Sequence, residues 1–265
     1  GTYGRALLIA GSKNMSGAAY FSGMAAYRVG TGLVQIFTEL CNRNILQQIL
    51  PEAILATQNW EKADQKKTVK ELEWADAAAI GPGFGISEQK RKILFEIIKN
   101  MYRPLVIDAD GLNLLADQLE ILHEKKGPVI VTPHIGEMSR MIKKTRQEII
   151  KDLIGTAKTF AREYDVICVL KDTRTVVTDG RDVYINQSGN HGMAAGGSGD
   201  VLTGMITGLL AQKMEPFEAA KLGVYLHGLA GDEAKKEMGA YAMTATDILN
   251  QIGKVQKTEE HRREQ

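Results

Sequence analysis

The part of the sequence best equipped for chemistry is a glycine-rich stretch that leads into an apolar helix. Residues 196–200 read Gly-Gly-Ser-Gly-Asp, and apolar side chains then recur from Val201 to Leu210 at helical spacing, with the helix predicted to end near 212. Glycines at a helix N-terminus leave backbone N–H groups open to a ligand, and the helix dipole favours negative charge there. This stretch therefore predicts an anion site suited to a phosphate.

Asp200 lies in the first turn of that helix, where its carboxylate would compete with a bound anion. One interpretation is a helix cap or first-turn acid, since Asp is common at such positions. The other is a general base that accepts the proton of a hydroxyl beside a site of phosphoryl transfer. The residues by themselves leave both interpretations open.

Polar residues follow a buried strand of the predicted sheet at the point where that strand ends. Asp108, Asp110 and Asn113 come after the apolar run 104–107. They could cap the next helix, bind the hydroxyls of a sugar, or hold Mg²⁺ through water. Ligands of open parallel sheets bind beyond the carboxyl ends of the strands, so we expect these side chains at the edge of a crevice.

Three other strand ends carry candidate binding groups. Gly83 lies in a Gly-Pro-Gly turn that is either a wall of the crevice or an ordinary strand-to-helix turn. His134 follows Pro133 at a strand end, and its imidazole is expected to face the crevice unless it is purely structural. Lys171 opens a polar loop that ends at Thr175, which indicates a hairpin whose cations could bind phosphate or simply be solvated.

The pattern of apolar segments predicts how these groups are positioned. Short buried runs alternate with helical segments, which is typical of an α/β fold with a mostly parallel sheet. The predicted strands cover 6–10, 33–37, 53–55, 77–80, 104–107, 128–131, 166–170, 176–178 and 183–185. One helix is predicted to begin at 17, and others cover 43–50, 88–99, 111–116, 148–163, 216–236 and 244–252. The charged segment 254–265 is expected to fray.

Length and composition limit the class of protein. The 265 residues are 44% hydrophobic and 25% charged, which is ordinary for one soluble domain with a large core. A net charge of +1 offers no bulk attraction for nucleic acid or an anionic membrane, and no apolar run approaches the roughly 20 residues that span a bilayer. Cys41 and Cys168 are too few for a disulfide framework and favour a reducing, cytoplasmic compartment. The first residue is Gly1, so we expect a trimmed chain from which a targeting segment could have been removed.

Five short motifs occur in order along the chain. They are Gly-Ser at 11–12 with Gly-Ala-Ala at 17–19, Gly-Pro-Gly at 81–83, Asp-Ala-Asp-Gly-Leu-Asn at 108–113, Thr-Pro-His-Ile-Gly-Glu at 132–137, and the stretch 190–200. A further match is Tyr-Leu-His-Gly at 225–228. Together they resemble the ADP/ATP-dependent NAD(P)H-hydrate dehydratase family of the ribokinase-like superfamily. The resemblance covers nearly the whole chain. It implies a central, mostly parallel sheet flanked by helices on both faces, with no separate lid domain, in one domain over residues 1–253.

The resemblance also implies roles for individual residues. Asp200 is the implied catalytic base. The implied substrate contacts are Ala19, Gly83, Asn113, His134 and Asp200, and the implied nucleotide contacts are Lys171, Asp172, Thr173, Arg174, Thr175, Gly196, Gly197, Ser198 and Gly199. Asp172 stands where the family usually has Gly, and an acid there would weaken phosphate binding unless it points away or reaches Mg²⁺. No residue is assigned as a metal ligand.

The activity implied by the resemblance is repair of (6S)-hydrated NADH or NADPH. The resemblance also implies ADP or ATP as co-substrate and Mg²⁺ as cofactor. It further implies that the protein is a homo-oligomer, specifically a tetramer. Asp200 would take the proton of the ring hydroxyl, the hydroxyl would attack the terminal phosphoryl group, and phosphate would then leave. The alternative is a kinase of the same superfamily that phosphorylates an alcohol such as a thiazole or pyridoxal-type substrate. A non-catalytic nucleotide sensor is a third possibility, although such a binder gains nothing from Asp200.

Overall fold

Among residues 2–264, the part of the chain that this computed structural model describes, nine strands form a single sheet. The order across the sheet is β3-β2-β1-β4-β5-β6-β7-β8-β9, with parallel pairing from β3 to β7 and antiparallel pairing at β8 and β9. The mostly parallel α/β sheet predicted from the sequence is confirmed. The strands are β1 (Arg5–Ile9), β2 (Leu33–Glu39), β3 (Ile54–Gln58), β4 (Ala77–Ile80), β5 (Leu105–Ile107), β6 (Val129–Val131), β7 (Ile167–Leu170), β8 (Val176–Thr178) and β9 (Val183–Ile185).

Helices cover both faces of the sheet because its central strands are apolar on both sides. In β1, Ala6 and Leu8 pack into one core while Leu7 and Ile9 pack into the other. The helices of the first face are α1 (Ser16–Arg28), α2 (Arg43–Ile49), α9 (Ser198–Ala211), α10 (Pro216–Met238) and α11 (Ala245–Glu264). Those of the second are α3 (Gln65–Trp74), α4 (Glu88–Asn100), α5 (Asp110–Leu115), α6 (Ile135–Ile142), α7 (Arg146–Lys151) and α8 (Leu153–Tyr164).

The chain reverses its direction of travel across the sheet between β1 and β4. After β1 the chain adds β2 and then β3 on one side, and it returns to add β4 on the other side. Such a switch point opens a crevice at the carboxyl ends of the two strands. Helix α9 packs close to α1 beside this crevice, and the close approach is possible because Gly204 has no side chain. A Cβ at Gly204 would lie only 2.1 Å from the carbonyl oxygen of Ser22.

Two helical segments differ from the sequence-based prediction. The segment predicted as one helix over 148–163 is divided at Asp152, whose Oδ1 accepts a hydrogen bond from the N–H of Gly155 at 2.9 Å and so starts α8 afresh. The prediction that the chain frays from 254 is wrong for the backbone, because α11 continues to Glu264. Lys254 anchors this extension through ion pairs of 2.9 Å with Glu233 and 3.3 Å with Glu237 on α10. None of the helices within residues 2–264 is both long enough and apolar enough to cross a bilayer.

Candidate active site

The N-terminus of α9 presents backbone donors to the crevice. Gly197 is its N-cap at φ +90°, a left-handed conformation, and no side chain of the described residues caps the helix. The N–H of Ser198 donates to Ala195 at 3.3 Å, whereas the N–H groups of Gly199 and Asp200 find no acceptor within residues 2–264. Free amides and the helix dipole together suit an anion. The geometry therefore fits the anion site predicted from the glycines.

A buried carboxylate lies beneath this helix. Asp108, at the end of β5, is 1% exposed and accepts three hydrogen bonds: 2.7 Å from Thr132, 2.9 Å from Lys171 and 2.7 Å from Thr203. Burial alone would raise the pKa of Asp108, but the Lys171 ammonium and these hydrogen bonds outweigh burial and lower the pKa below its ordinary value. Asp108 is thus a fixed negative charge that ties β5, β6, β7 and α9 together.

Lys171 has its ammonium inside the site rather than in the loop that it begins. Its Nζ lies 2.9 Å from Asp108, and a Cβ built on Gly199 would be 3.5 Å from the same nitrogen. Burial would lower the pKa of Lys171, but the carboxylates of Asp108 and Glu137 outweigh burial and raise it. A direct phosphate contact from Lys171, as predicted, would have to share an ammonium already bound to Asp108.

The remainder of the predicted nucleotide loop is more open to solvent. Asp172, Thr173 and Arg174 are exposed, and Thr175, which directly precedes β8, is partly buried. Arg174 donates to the side chain of Gln187 at 2.8 Å. The side chain of Asp172 is therefore free to point away from a bound nucleotide. In that orientation, an Asp in place of the usual Gly would not weaken phosphate binding.

Asp200 faces Asp108 and Lys171 from the first turn of α9. Burial is the main cause that raises the pKa of Asp200, to about 7. The negative charges of Asp108 and Asp110 add to this rise, and the Lys171 ammonium only partly opposes it. A carboxylate that titrates near neutral pH can accept a proton in one step and lose it to water afterwards, as a general base requires.

His134 has a structural role in addition to any role in binding. Its Nδ1 accepts hydrogen bonds from the N–H groups of Gly136 at 2.9 Å and Glu137 at 3.2 Å, and Glu137 accepts in return from the N–H of His134 at 2.8 Å. This capping box begins α6. Burial and the nearby Lys171 ammonium lower the pKa of His134, so its ring is neutral. The Nε2 edge remains available, 3.4 Å from Glu137, on a side chain that is 52% exposed.

The contact of Ala19 with the substrate stays a prediction, and the side chain of Ala19 packs inside the protein. Ala19 is fully buried and faces Gly11, where a built Cβ would lie 3.0 Å from the Ala19 methyl group. Adjacent residues of a helix point about 100° apart, so the neighbouring Ala18 faces the crevice turn instead. A Cβ on Gly83 would lie 2.8 Å from that of Ala18, and Gly83 adopts a left-handed φ of +56°. Ala18 is the residue of α1 that lies against Gly83.

The polar residues after β5 serve three different purposes. Asp108 forms the network described above, while Oδ2 of Asp110 accepts from the N–H of Gly85 at 2.7 Å and ties the β4 turn to β5. The side-chain oxygen of Asn113 accepts from Arg140 at 2.8 and 3.1 Å, so its predicted substrate contact would have to use its amide nitrogen. Within residues 2–264, no group of three His, Cys, Asp or Glu side chains is arranged to hold a metal ion.

Several residues of the site were not identified from the sequence. Thr203 lies one helical turn after Asp200, and this i, i+3 spacing could have shown that both lie on one face of the helix. Thr132 directly follows β6, so its position at a strand end was the available signal. Glu137 was recognisable only as the third residue after His134. His227, on α10, lies under the N-terminus of α9, with Nε2 3.3 Å from Oγ of Ser198, and burial lowers its pKa to about 4. No local pattern reports that contact, because it joins two separate helices.

Comparisons with known proteins identify the family to which the chain is similar. The model of a family described as NAD(P)H-hydrate dehydratase matches residues 6–254. The ADP-dependent (S)-NAD(P)H-hydrate dehydratase of Bacillus subtilis is 35% identical over 259 residues, which is 97% of this chain and 90% of that protein. A crystal structure of the Bacillus subtilis ADP/ATP-dependent NAD(P)H-hydrate dehydratase, co-crystallised with ATP and Mg²⁺, superimposes with a TM-score of 0.87 at 34% identity and covers 97% of this chain and 90% of that one.

Longer relatives match as well. The bifunctional NAD(P)H-hydrate repair enzyme Nnr of Moorella thermoacetica is 40% identical over 260 residues, which is 94% of this chain but 48% of that protein. The chain therefore spans about half the length of the bifunctional relatives that it matches.

Proposed function

The chain belongs to the NAD(P)H-hydrate dehydratase family, and we propose that it converts (6S)-hydrated NADH and NADPH back to NADH and NADPH with ADP or ATP as co-substrate. The single observation that carries the proposal is Asp200 itself. Its carboxyl group has a pKa of about 7 and belongs to the first turn of a helix whose free amides suit a phosphate. A base beside an anion site is what phosphoryl transfer to a hydroxyl needs.

In the proposed reaction, Asp200 accepts the proton of the hydroxyl on the hydrated nicotinamide ring. The hydroxyl oxygen forms a bond to the terminal phosphorus of ADP or ATP, and the bond between that phosphorus and the bridging oxygen breaks. The amides of Gly199 and Asp200 stabilise the charge on the transferred group. Phosphate is a better leaving group than hydroxide, so the ring nitrogen then expels it, and loss of a proton from the adjacent ring carbon restores the dihydronicotinamide.

The carboxylates fit a Mg²⁺ ion that arrives with the nucleotide better than a resident metal. Asp108 already accepts three hydrogen bonds, and Glu137 is committed to capping α6. Mg²⁺ commonly uses one or two carboxylates together with phosphate oxygens and water. Asp110 and Asp200 are the acids with oxygens left for this purpose. When bound, the ion would offset negative charge on the phosphates.

The remaining assignments are proposals of the same kind. We propose that the exposed residues of the loop 171–175 and the 196–199 turn hold the nucleotide, while His134, Asn113 and Gly83 line the site of the dinucleotide. Residues 1–253 would act as one domain. A cytoplasmic location and a homo-oligomeric, tetrameric assembly are also proposed, from resemblance to the family.

The test is restoration of NADH by purified protein. Hydrated NADH or NADPH is mixed with Mg²⁺ and either ADP or ATP, and the near-ultraviolet absorbance of the dihydronicotinamide is followed while released phosphate is measured. We expect one phosphate for each dihydronicotinamide formed. A stable phosphorylated alcohol with no elimination would favour the superfamily kinase alternative instead. Tight nucleotide binding without turnover of any hydroxylated substrate would favour the sensor.

A further inference from the structure

Two nearly buried polar side chains that the site described above does not use converge on Gly85, in the turn after β4. Lys90, in the first turn of α4, is 8% exposed, and Ser12, which follows β1, is 7% exposed. A Cβ built on Gly85 would lie 2.6 Å from Nζ of Lys90 and 3.3 Å from Oγ of Ser12. The ammonium and the hydroxyl therefore converge over the same glycine.

Neither group has an acceptor among residues 2–264. Lys90 makes no ion pair or hydrogen bond through Nζ there, and its contact is with the ring of Phe84, 5.6 Å away. Asp110 is engaged by the N–H of Gly85 and is not paired with Lys90. Neither Nζ of Lys90 nor Oγ of Ser12 is among the fully buried side-chain atoms that lack a partner within residues 2–264, so both atoms keep contact with solvent and can be reached by a ligand. Two such donors beside a crevice indicate an anionic ligand.

The position of the pair within the sheet indicates which ligand this is. Ser12 and Gly85 follow β1 and β4, the two strands of the switch point, and β4 adjoins β5, which carries Asp108 beneath Asp200. Gly85 is thus about one strand spacing, roughly 4.8 Å, from the strand under the reacting ring, and Ser12 is about two spacings from it. The loop that begins at Lys171 follows β7, three strands from β4, or about 14 Å. With the nucleotide held by the loop 171–175, as proposed above, the phosphoryl donor and the pair lie on opposite sides of the base.

We propose that Lys90 and Ser12 bind the diphosphate bridge of the dinucleotide substrate. This proposal rests on the proposed function, because it takes the reacting ring to be at Asp200. A diphosphate offers several acceptor oxygens with negative charge, so it satisfies the ammonium and the hydroxyl at once. Asp110 contributes by fixing Gly85, which lets the chain pass close beneath both donors.

The test compares Lys90→Met, Lys90→Arg and a matched control, Lys92→Met, which removes an exposed lysine from the same helix. Loss of one charge-assisted hydrogen bond should raise the KM for hydrated NADH roughly 10- to 150-fold in Lys90→Met. Hydrated NADPH should be affected equally, because both substrates contain the diphosphate. Lys90→Arg should recover part of the loss, and the KM for ADP should not move in any variant.

A purely structural lysine gives the opposite result. If Lys90 serves only to cover Phe84, Lys90→Met should lower the Tm and leave every KM unchanged, which would overturn the proposal. If it is a ligand-binding group whose ammonium has no partner in the protein, Lys90→Met should leave the Tm of the free protein nearly unchanged. An effect confined to hydrated NADPH, or to ADP, would likewise overturn the assignment to the diphosphate. Should Lys90→Met fail to fold, Ser12→Ala provides the answer, with an expected rise in KM of roughly 2- to 10-fold.

A binding measurement keeps this proposal separate from the proposed reaction. ADP-ribose contains the same diphosphate bridge and no nicotinamide, so its affinity does not depend on turnover. Calorimetric titration with ADP-ribose, with AMP saturating the nucleotide site, should give a Kd roughly 10- to 150-fold weaker for Lys90→Met than for wild type or Lys92→Met. Equal affinities for all three proteins would overturn the diphosphate site even if the dehydratase activity is present. A difference would support it even if that activity is absent.

Discussion

Replacing Asp200 with Asn tests two effects of this carboxylate: its role in catalysis and the loss of fold stability that its buried charge causes. The substitution preserves the size of the side chain and removes both its charge and its basic oxygen. If Asp200 is the general base, kcat should fall roughly 10²- to 10⁴-fold. The affinity for ADP or ATP should stay level or increase slightly, because one negative charge has left the neighbourhood of the phosphates. Wild-type activity should rise with pH through about 7, where Asp200 ionises.

The same substitution should stabilise the protein above neutral pH. The rise in the pKa of Asp200 from 3.8 to about 7 corresponds to about 4 kcal/mol. Because the folded protein binds this proton more tightly than the unfolded chain, Asp200 destabilises the fold progressively as the pH increases from about 4 to about 7. At pH 8, Asp200→Asn should therefore relieve up to about 4 kcal/mol, with a gain in Tm of about 2–4 °C for each kcal/mol.

The assay combines turnover of hydrated NADH with calorimetric melting at about pH 4 and pH 8. Asp117→Asn, at an exposed position after α5, is the control for loss of an Asp charge. We expect Asp200→Asn to be less active and more stable than wild type at pH 8, and equally stable at pH 4. Retention of more than about a tenth of wild-type kcat would refute the general-base role. A Tm at pH 8 that is no higher than that of wild type would refute the electrostatic argument.

Substitutions at three further positions test how backbone and caps position the site. Gly199→Ala should keep a near wild-type Tm, since its Cβ would lie 3.5 Å from Nζ of Lys171, and should raise the KM for ADP roughly tenfold by crowding the phosphate. Gly204→Ala should lower stability by about 1–3 kcal/mol or more in a melting experiment, because its Cβ would lie 2.1 Å from the carbonyl oxygen of Ser22. His134→Ala should lower the free energy of unfolding by about 1 kcal/mol, because the α6 cap is lost, whereas His134→Asn should retain the cap. Both variants lack the imidazole, so a KM for hydrated NADH that rises in both reports the contribution of the imidazole to binding.

The sheet and its site-bearing edge could be predicted because the signals are local. Each buried strand is a short apolar run, and its polar end residues must meet at one edge once the strands are parallel. Helix α6 escaped prediction because its cap is His134, an imidazole in a position where Ser, Thr, Asp or Asn is usual. Helix α11 was predicted too short because its last turns depend on Lys254 reaching two acids of α10, a contact between helices that no periodicity reports.

The contacts that define the chemistry escaped prediction for the same reason. Lys171 and Asp108 are 63 residues apart in sequence, and Thr203 and Asp108 are 95 apart, yet all three join in one buried network. From the sequence, Lys171 read as the start of a phosphate-binding loop. The contact of its ammonium with Asp108 depends on the parallel order of β5, β6 and β7, and its contact with the nucleotide stays a prediction.

That network explains why two neighbouring carboxylates behave differently. Asp108 and Asp200 both interact with the single ammonium of Lys171, but Asp108 holds it directly at 2.9 Å and also accepts from two threonines. The charged form of Asp108 is thereby stabilised, and its negative charge then disfavours ionisation of Asp200. One carboxylate is kept as a fixed charge and the other is left to exchange protons near neutral pH, which is how paired acids divide into structural and catalytic members. If this account is right, Asp108→Asn should lower the pKa of the activity profile, because it removes the negative charge that disfavours ionisation of Asp200. An unchanged pH profile in a folded Asp108→Asn protein would mean that the charge of Asp108 does not contribute to the pKa of Asp200.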